Sequence, residues 1–147
     1  MDFRRRHQTR TGRDGSTFRI LKLRTMHVSD GRDVPQTAAG DPRVYPFGRF
    51  LRRTSLDELP QFLNVLRGQM SVVGPRPHFV QHDREFAGAI NEYRVRFFVK
   101  PGITGLAQAH GLRGEMRTPE AIRQRIALDL LYIHSWSVWL DLTIVAR

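Results

Sequence analysis

The 147 residues suffice for one domain with its own core; they carry 24 Lys+Arg against 14 Asp+Glu, a net charge of +10, and no cysteine. The composition excludes a disulfide framework and a thiolate metal site, and with no run of about 18 apolar residues nothing in the sequence spans a bilayer alone. Residues 1–53 hold 13 basic and 5 acidic side chains, net +8, against 11 and 9 in residues 54–147, net +2. All the cations but Lys22 and Lys100 are arginines, which favour bidentate contacts to phosphate. Nucleic acid, an anionic membrane surface and a phosphorylated substrate are the partner classes this field admits.

The start, "MDFRRRHQTRTG", lacks the apolar run of a signal peptide. "RRHQTRTGRDGSTFRILKLRTM" predicts a hairpin: its second arm alternates around Arg19 and Arg24, and Gly12 and Gly15 offer positive φ at the turn. "HVSDGRDVPQTAAGDPRVYPFG" is a Gly/Pro/Asp-rich connector expected to be mobile. "GRFLRRTS" predicts a short helix and "LDELPQFLNVLRG" a second, with Leu59, Phe62, Leu63 and Leu66 at helical spacing and Gly68 as its C-terminal cap. "SVVGPRP" is a brief extended piece followed by a stiff loop. "HFVQHDREFAGAINEYRVRFF" predicts one helix, on which His78 and His82 stand four apart, a spacing that can bind a metal but lacks a third ligand. "KPGITGLAQ" predicts a turn and an extended segment. In "TPEAIRQRIALDLLYIHSW", Thr118 is the N-cap and Pro119 the first helical residue. The tail, with Trp136, Trp139, Leu140, Ile144 and Val145, is an amphipathic end that can pack on a core or lie in a membrane interface. Strands and helices do not alternate regularly, so the expected fold is an α-rich α+β domain with a small antiparallel hairpin and several amphipathic helices, not a doubly wound sheet.

Asp57 and Glu58 stand together in "TSLDELPQFLNVLRGQMSVVGPRP", Thr54 to Pro77. Ser55 to Glu58 fits an S-x-x-E capping box, and Asp57 itself can be the N-cap, with acids complementing the helix dipole. The same placement favours an ionised carboxylate, and an ionised Asp can attack phosphorus to give an aspartyl phosphate. A neighbouring Glu can hold Mg²⁺. The two readings are compatible.

"DPRVYPFGRFLRRTSLDELPQFLNVLRGQMSVVGPRP" closely resembles the bacterial sugar transferase family, the monotopic phosphoglycosyl transferases. "FRILKLRTM", "KPGITGLAQ" and "DLLYIHSWSVWLDLTIV" resemble its other blocks in the same order, so the resemblance covers nearly the whole chain. "VGPRPHFVQH" and "HGLRGEMRTPE" look most like the undecaprenyl-phosphate glucose phosphotransferases of exopolysaccharide synthesis.

The resemblance implies transfer of a sugar 1-phosphate from a UDP-sugar, with UDP-glucose the expected donor, to undecaprenyl phosphate, with release of UMP. It implies Asp57 as nucleophile, Glu58 as Mg²⁺ ligand, and Arg76 of the Pro-Arg-Pro motif at the nucleotide-sugar. Lys22, Arg24, Arg52 and Arg113 match cations of the substrate site, and Asp129 and Asp141 match acids of the closing blocks. The expected place is the cytoplasmic face of the bacterial inner membrane, held peripherally. Gln69 stands where the family usually has Asp, and His110 where Asn is frequent.

In the family a re-entrant membrane helix precedes the "Q-x-R-x-G" block; here only "MDFRRR" precedes "HQTRTG". Residues 1–147 are therefore expected to be one catalytic domain, shortened at its N-terminus and held to membranes weakly, through its basic first third and its amphipathic stretches. Two other readings stay open at this level: a catalytically impaired member of the family, and a non-catalytic basic module binding an anionic membrane or nucleic acid. No nucleic-acid motif occurs and the basic strand is not interleaved with exposed aromatics, so no nucleic-acid partner is expected.

Overall fold

A computed structural model describes residues 6–27, 41–113 and 118–147; most of the connector and part of "HGLRGEMRTPE" lie outside the described residues. Strands β1 (Arg6–Thr11) and β2 (Thr17–Lys22) form the expected antiparallel hairpin, with Arg6 opposite Lys22 and Arg10 opposite Phe18. Its turn uses positive φ at Asp14 (56°) and Gly15 (74°), whereas Gly12 stays at −105°. Asp is one of the few side chains that tolerates this region, so one of the two expected glycines is not needed for it. Phe18 and Ile20 of β2 pack with Met70, Val65 and Ile103 in one apolar cluster.

Helix α1 (Pro46–Arg53) starts on Pro46 and is followed by a 3₁₀ turn at Leu56–Glu58 and then α2 (Gln61–Leu66). The single helix expected over "LDELPQFLNVLRG" is thus two pieces. Pro60 separates them, since it cannot donate to the turn before it. Gly68 caps α2 as predicted, with φ of 73°. The orientation of α2 is unusual. Gln61 and Asn64 are its buried residues, at 1% and 0% exposure, while Leu59, Phe62, Leu63 and Leu66 face outward, Leu66 at 83%. Asn64 explains this: its Oδ1 accepts from the Leu21 N–H at 3.0 Å, and its Nδ2 donates to the Arg19 carbonyl and to Gln69 Oε1, both at 2.8 Å.

Strand β3 (Ser71–Val73) pairs in parallel with β4 (Gly102–Thr104), Ser71 opposite Gly102 and Val73 opposite Thr104. The antiparallel hairpin was expected; this parallel ladder was not. A parallel pair needs a long crossover, and residues 74–101 supply it through α3 (Val80–Ala89) and a 3₁₀ stretch at Tyr93–Phe98. The continuous helix expected over 78–98 is therefore broken at Ile90, which is extended (φ −130°, ψ 114°). Side chains three apart eclipse in a 3₁₀ helix, and Tyr93 and Arg96 are the two this stretch buries. The crossover closes tightly. A Cβ on Gly102 would lie 2.1 Å from the Gly74 nitrogen, so no side chain fits there without moving backbone.

After β4 come α4 (Leu106–Ala109), α5 (Pro119–His134) and α6 (Val138–Val145). The predicted cap of α5 is formed, with Thr118 Oγ1 accepting from the Ala121 N–H at 3.2 Å. Val73, Leu106, Tyr132 and Ile144 make the second apolar cluster. The α+β expectation holds, with two-stranded sheets and no doubly wound sheet among the described residues. No helix of the described residues is long and apolar enough to cross a membrane.

Candidate active site

The acidic pair sits on the 3₁₀ turn at Leu56–Glu58, entered through Ser55 in the left-handed region (φ 57°). That conformation costs a non-glycine residue roughly 1–2 kcal/mol, so the turn is held by its surroundings. Its backbone is stitched to the hairpin, the Leu23 N–H donating to the Asp57 carbonyl at 2.9 Å. The capping box is not formed: Ser55 makes no side-chain cap bond, and Asp57 lies inside the turn rather than at a helix N-cap. Ser55 is committed to the left-handed entry and cannot adopt the extended backbone of a cap.

Two elements converge on Glu58. Lys22, at the end of β2, places Nζ 2.7 Å from Oε1. Arg76, in the Pro-Arg-Pro loop after β3, brings Nη2 to 2.6 Å from Oε1 and Nη1 to 3.3 Å from Oε2. Burial alone would raise the Glu58 pKa, but Arg76 and Lys22 outweigh it and lower it from 4.5 to about 2. Burial and the nearby Arg76 lower the pKa of Lys22, against the pull of Glu58.

Asp57 differs from its neighbour. Its residue is buried, and among the described residues no cation lies within ion-pair distance of its carboxylate. Burial raises its pKa; Lys22 opposes this and Glu58 adds to it. The expectation that a helix dipole holds this acid ionised is corrected, because a three-residue turn carries no appreciable dipole and desolvation dominates.

The remaining predicted residues divide. Arg52 lies near enough to act on Asp57 electrostatically while its Nε donates to Thr25 Oγ1 at 2.8 Å. Arg24 offers its carbonyl to the Tyr45 hydroxyl. Arg113 is exposed and donates to the Gln108 carbonyl at 3.2 Å. Asp141 accepts from the Tyr132 hydroxyl at 2.9 Å and from Trp136 Nε1 at 3.2 Å. Asp129, 2% exposed, accepts from Arg96 Nε at 3.0 Å. The structure therefore joins Lys22, Glu58 and Arg76 directly, sets Asp57 beside Glu58 on the same turn with Arg52 nearby, and gives Arg113, Asp129 and Asp141 contacts elsewhere.

Sequence reasoning missed the buried polar group behind Arg76. His78 is not on α3 with His82 but precedes it, its Nδ1 2.8 Å from the Tyr93 hydroxyl. Tyr93 also bonds Asp83 and accepts from Arg96 Nη1 at 2.7 Å. Burial, then Arg96 and other arginines, hold His78 neutral. The available signal was charge inside an apolar periodicity: Arg125, Ile126, Asp129 and Tyr132 form the buried stripe of α5.

For a hard cation, the fitting oxygens are those of Asp57 and Glu58 Oε2, which takes only the longer Arg76 contact. Mg²⁺ typically uses one or two carboxylates and keeps water or substrate phosphate as its other ligands, so the pair fits it. Among the described residues no group of three or more acidic, His or Cys ligands occurs.

The family model of the bacterial sugar transferases matches residues 5–147. A UDP-glucose:undecaprenyl-phosphate glucose-1-phosphate transferase of Caulobacter vibrioides is 58% identical over 141 residues, 95% of this chain and 53% of that protein. The Escherichia coli K12 protein of the same name is 53% identical over 139 residues, 94% of this chain and 30% of its own length. The exopolysaccharide production protein PSS of Rhizobium leguminosarum bv. phaseoli is 43% identical over 143 residues, 94% of this chain and 72% of that protein. The chain thus spans about half or less of the first two. With a match running from the hairpin through α6 and including the acidic turn and the Pro-Arg-Pro loop, the chain belongs to the bacterial sugar transferase family.

Proposed function

We propose that this chain carries the catalytic site of a phosphoglycosyl transferase that moves glucose 1-phosphate from UDP-glucose to undecaprenyl phosphate, the initiating step of an exopolysaccharide or O-antigen. The observation that carries the reading is the asymmetry of the acidic pair. Glu58 is clamped by two cations, while the Asp57 carboxylate is buried, free of an ion pair among the described residues, and the more basic of the two. A nucleophile needs an uncommitted lone pair. An Asp57 oxygen attacks the phosphorus that bears the sugar. The bond from that phosphorus to the bridging oxygen breaks, and UMP leaves with the electron pair. A phosphate oxygen of the lipid then attacks the same phosphorus and frees the Asp57 carboxylate. The diphosphate carries about two negative charges that would repel Asp57; Lys22 and Arg76 offset them, and Mg²⁺, held by Glu58, supplies further positive charge when bound.

The lipid acceptor requires a membrane surface, and the outward face of α1 and α2 suits one. Phe47, Phe50, Leu59, Phe62, Leu63 and Leu66 are all exposed. A fully buried Leu or Phe is worth about 1.5–3 kcal/mol, against about 1 kcal/mol for a cation near an anionic surface. Most of these side chains are already about half covered, so the apolar term is of the same order as that of the net +8 in residues 1–53, but salt screens only the charge. Flotation with vesicles containing anionic lipid is expected to survive a rise in salt and to fall at least tenfold when Phe62 and Leu66 both become Ser. Complete release by salt would leave only the basic face as the attachment.

The activity test is incubation with UDP-glucose, Mg²⁺ and undecaprenyl phosphate. UMP release is expected, it should cease in EDTA, and UDP-glucose alone should leave a hexose phosphate on Asp57 detectable by mass spectrometry. Turnover with no adduct and strictly ternary-complex kinetics would instead mean direct transfer.

A further inference from the structure

We propose that Arg96 is a positioning residue that fixes Arg76 against the acidic pair by holding its backbone carbonyl; this rests on the role proposed above for Arg76. Pro75 and Pro77 lock their own φ angles, and a residue before proline is confined to extended backbone. What they leave undetermined is where the loop sits. Two hydrogen bonds settle that. The Gly102 N–H donates to the Pro75 carbonyl at 2.9 Å, and Arg96 Nη2 donates to the Arg76 carbonyl at 2.7 Å.

Arg96 is itself built in. It is 5% exposed, with Nε on Asp129 at 3.0 Å, Nη1 on the Tyr93 hydroxyl at 2.7 Å and on His78 Nδ1 at 3.1 Å. The rigid fork of a guanidinium lets one side chain hold Asp129 behind it and the Arg76 carbonyl in front. Burying such an ion is costly, and apolar packing often serves stability as well or better, so stability alone is a poor reason for it. The bond to Arg76 links this interior network to the residue that clamps Glu58. Asp129 acts one step further back, by orienting Arg96, and touches no substrate.

A misplacement of about 1 Å at a reacting centre can lower rate about a hundredfold. Arg96→Gln is therefore expected to lower kcat/KM for UDP-glucose by roughly tenfold to a hundredfold, with most of the loss in kcat. The decisive comparison is in the Arg76→Ala background, which keeps the carbonyl but lacks the guanidinium. There Arg96→Gln is expected to change kcat/KM by less than about twofold. Arg96→Lys keeps a charge beside Asp129 without the fork; it should recover melting temperature over Arg96→Gln without recovering rate. A second readout needs no turnover. In the 147-residue chain the Arg76 Nε–H resonance should broaden or shift on Arg96→Gln, while that of Arg43, paired with Asp41 at 2.6 Å, stays in place. Equal rate losses in both backgrounds, or an unmoved Arg76 resonance, overturn the proposal. If the parent neither binds nor turns over UDP-glucose, the proposed function fails, and the Arg76 resonance alone decides the positioning.

Discussion

Asp57→Asn is expected to abolish turnover while leaving the protein at least as stable as the parent. An amide cannot form the acyl phosphate, and loss of an enzyme's nucleophile lowers kcat by about 10,000-fold or more. The stability half follows from the raised pKa of Asp57. An acid whose pKa is higher folded than unfolded resists ionisation in the fold, so its charge works against stability at neutral pH. Asn has nearly the same shape and no charge to desolvate. UMP release and thermal unfolding measured on the same preparations test both halves. A variant keeping even a tenth of parental turnover would remove Asp57 from the nucleophile's role, and a sharp fall in melting temperature would mean that its carboxylate holds the turn together.

Glu58→Gln should behave in the opposite way, losing stability as well as activity. The pKa of Glu58 falls from 4.5 to about 2 on folding, and a shift of that size corresponds to on the order of 3 kcal/mol. This contribution is fully present above the unfolded value and is lost as pH falls through the folded one. Asp57 runs the other way, its penalty disappearing on acidification toward its unfolded value. Denaturant unfolding of the parent and Glu58→Gln across pH is expected to show a gap near 3 kcal/mol at neutral pH that closes by about pH 2. A gap independent of pH would mean that the variant suffers from packing and not from loss of charge pairing. The amide is also a poor Mg²⁺ ligand, so added divalent metal should not restore turnover.

The hairpin, the two short extended pieces, the Thr118 cap and the Gly68 terminus were all legible, because each depends on local chemistry. The candidate site was legible in its residues and not in its pairing. Asp57, Glu58 and Arg76 stand out through family likeness, but nothing local says that Lys22 meets Glu58 from another element, or that Asp57 has no ion pair among the described residues. Periodicity found the apolar face of Leu59, Phe62, Leu63 and Leu66 without saying which way it points. That direction is set by Asn64, whose partners Leu21 and Arg19 are more than forty residues away. The split at Pro60 was readable in principle, since a proline four residues into an amphipathic run admits either a first turn or a break. The break at Ile90 was not. It is imposed by the burial of Tyr93 and Arg96, whose partners His78, Asp83 and Asp129 lie on other segments.

The Asn64 side chain has one more effect. A two-stranded hairpin has two open edges, and an open edge is a template for another chain's strand. Along the outer edge of β2, the Leu21 N–H and the Arg19 carbonyl are both taken by the Asn64 amide, and the next donor outward, the Leu23 N–H, is taken by Asp57. An amide side chain thus does what a third strand would do, without offering a further edge. The rung made by Asn64 closes the outer edge of β2 to a neighbouring copy's strand: with the Leu21 and Leu23 N–H groups and the Arg19 carbonyl already taken, strand-to-strand pairing there would have to displace the amide.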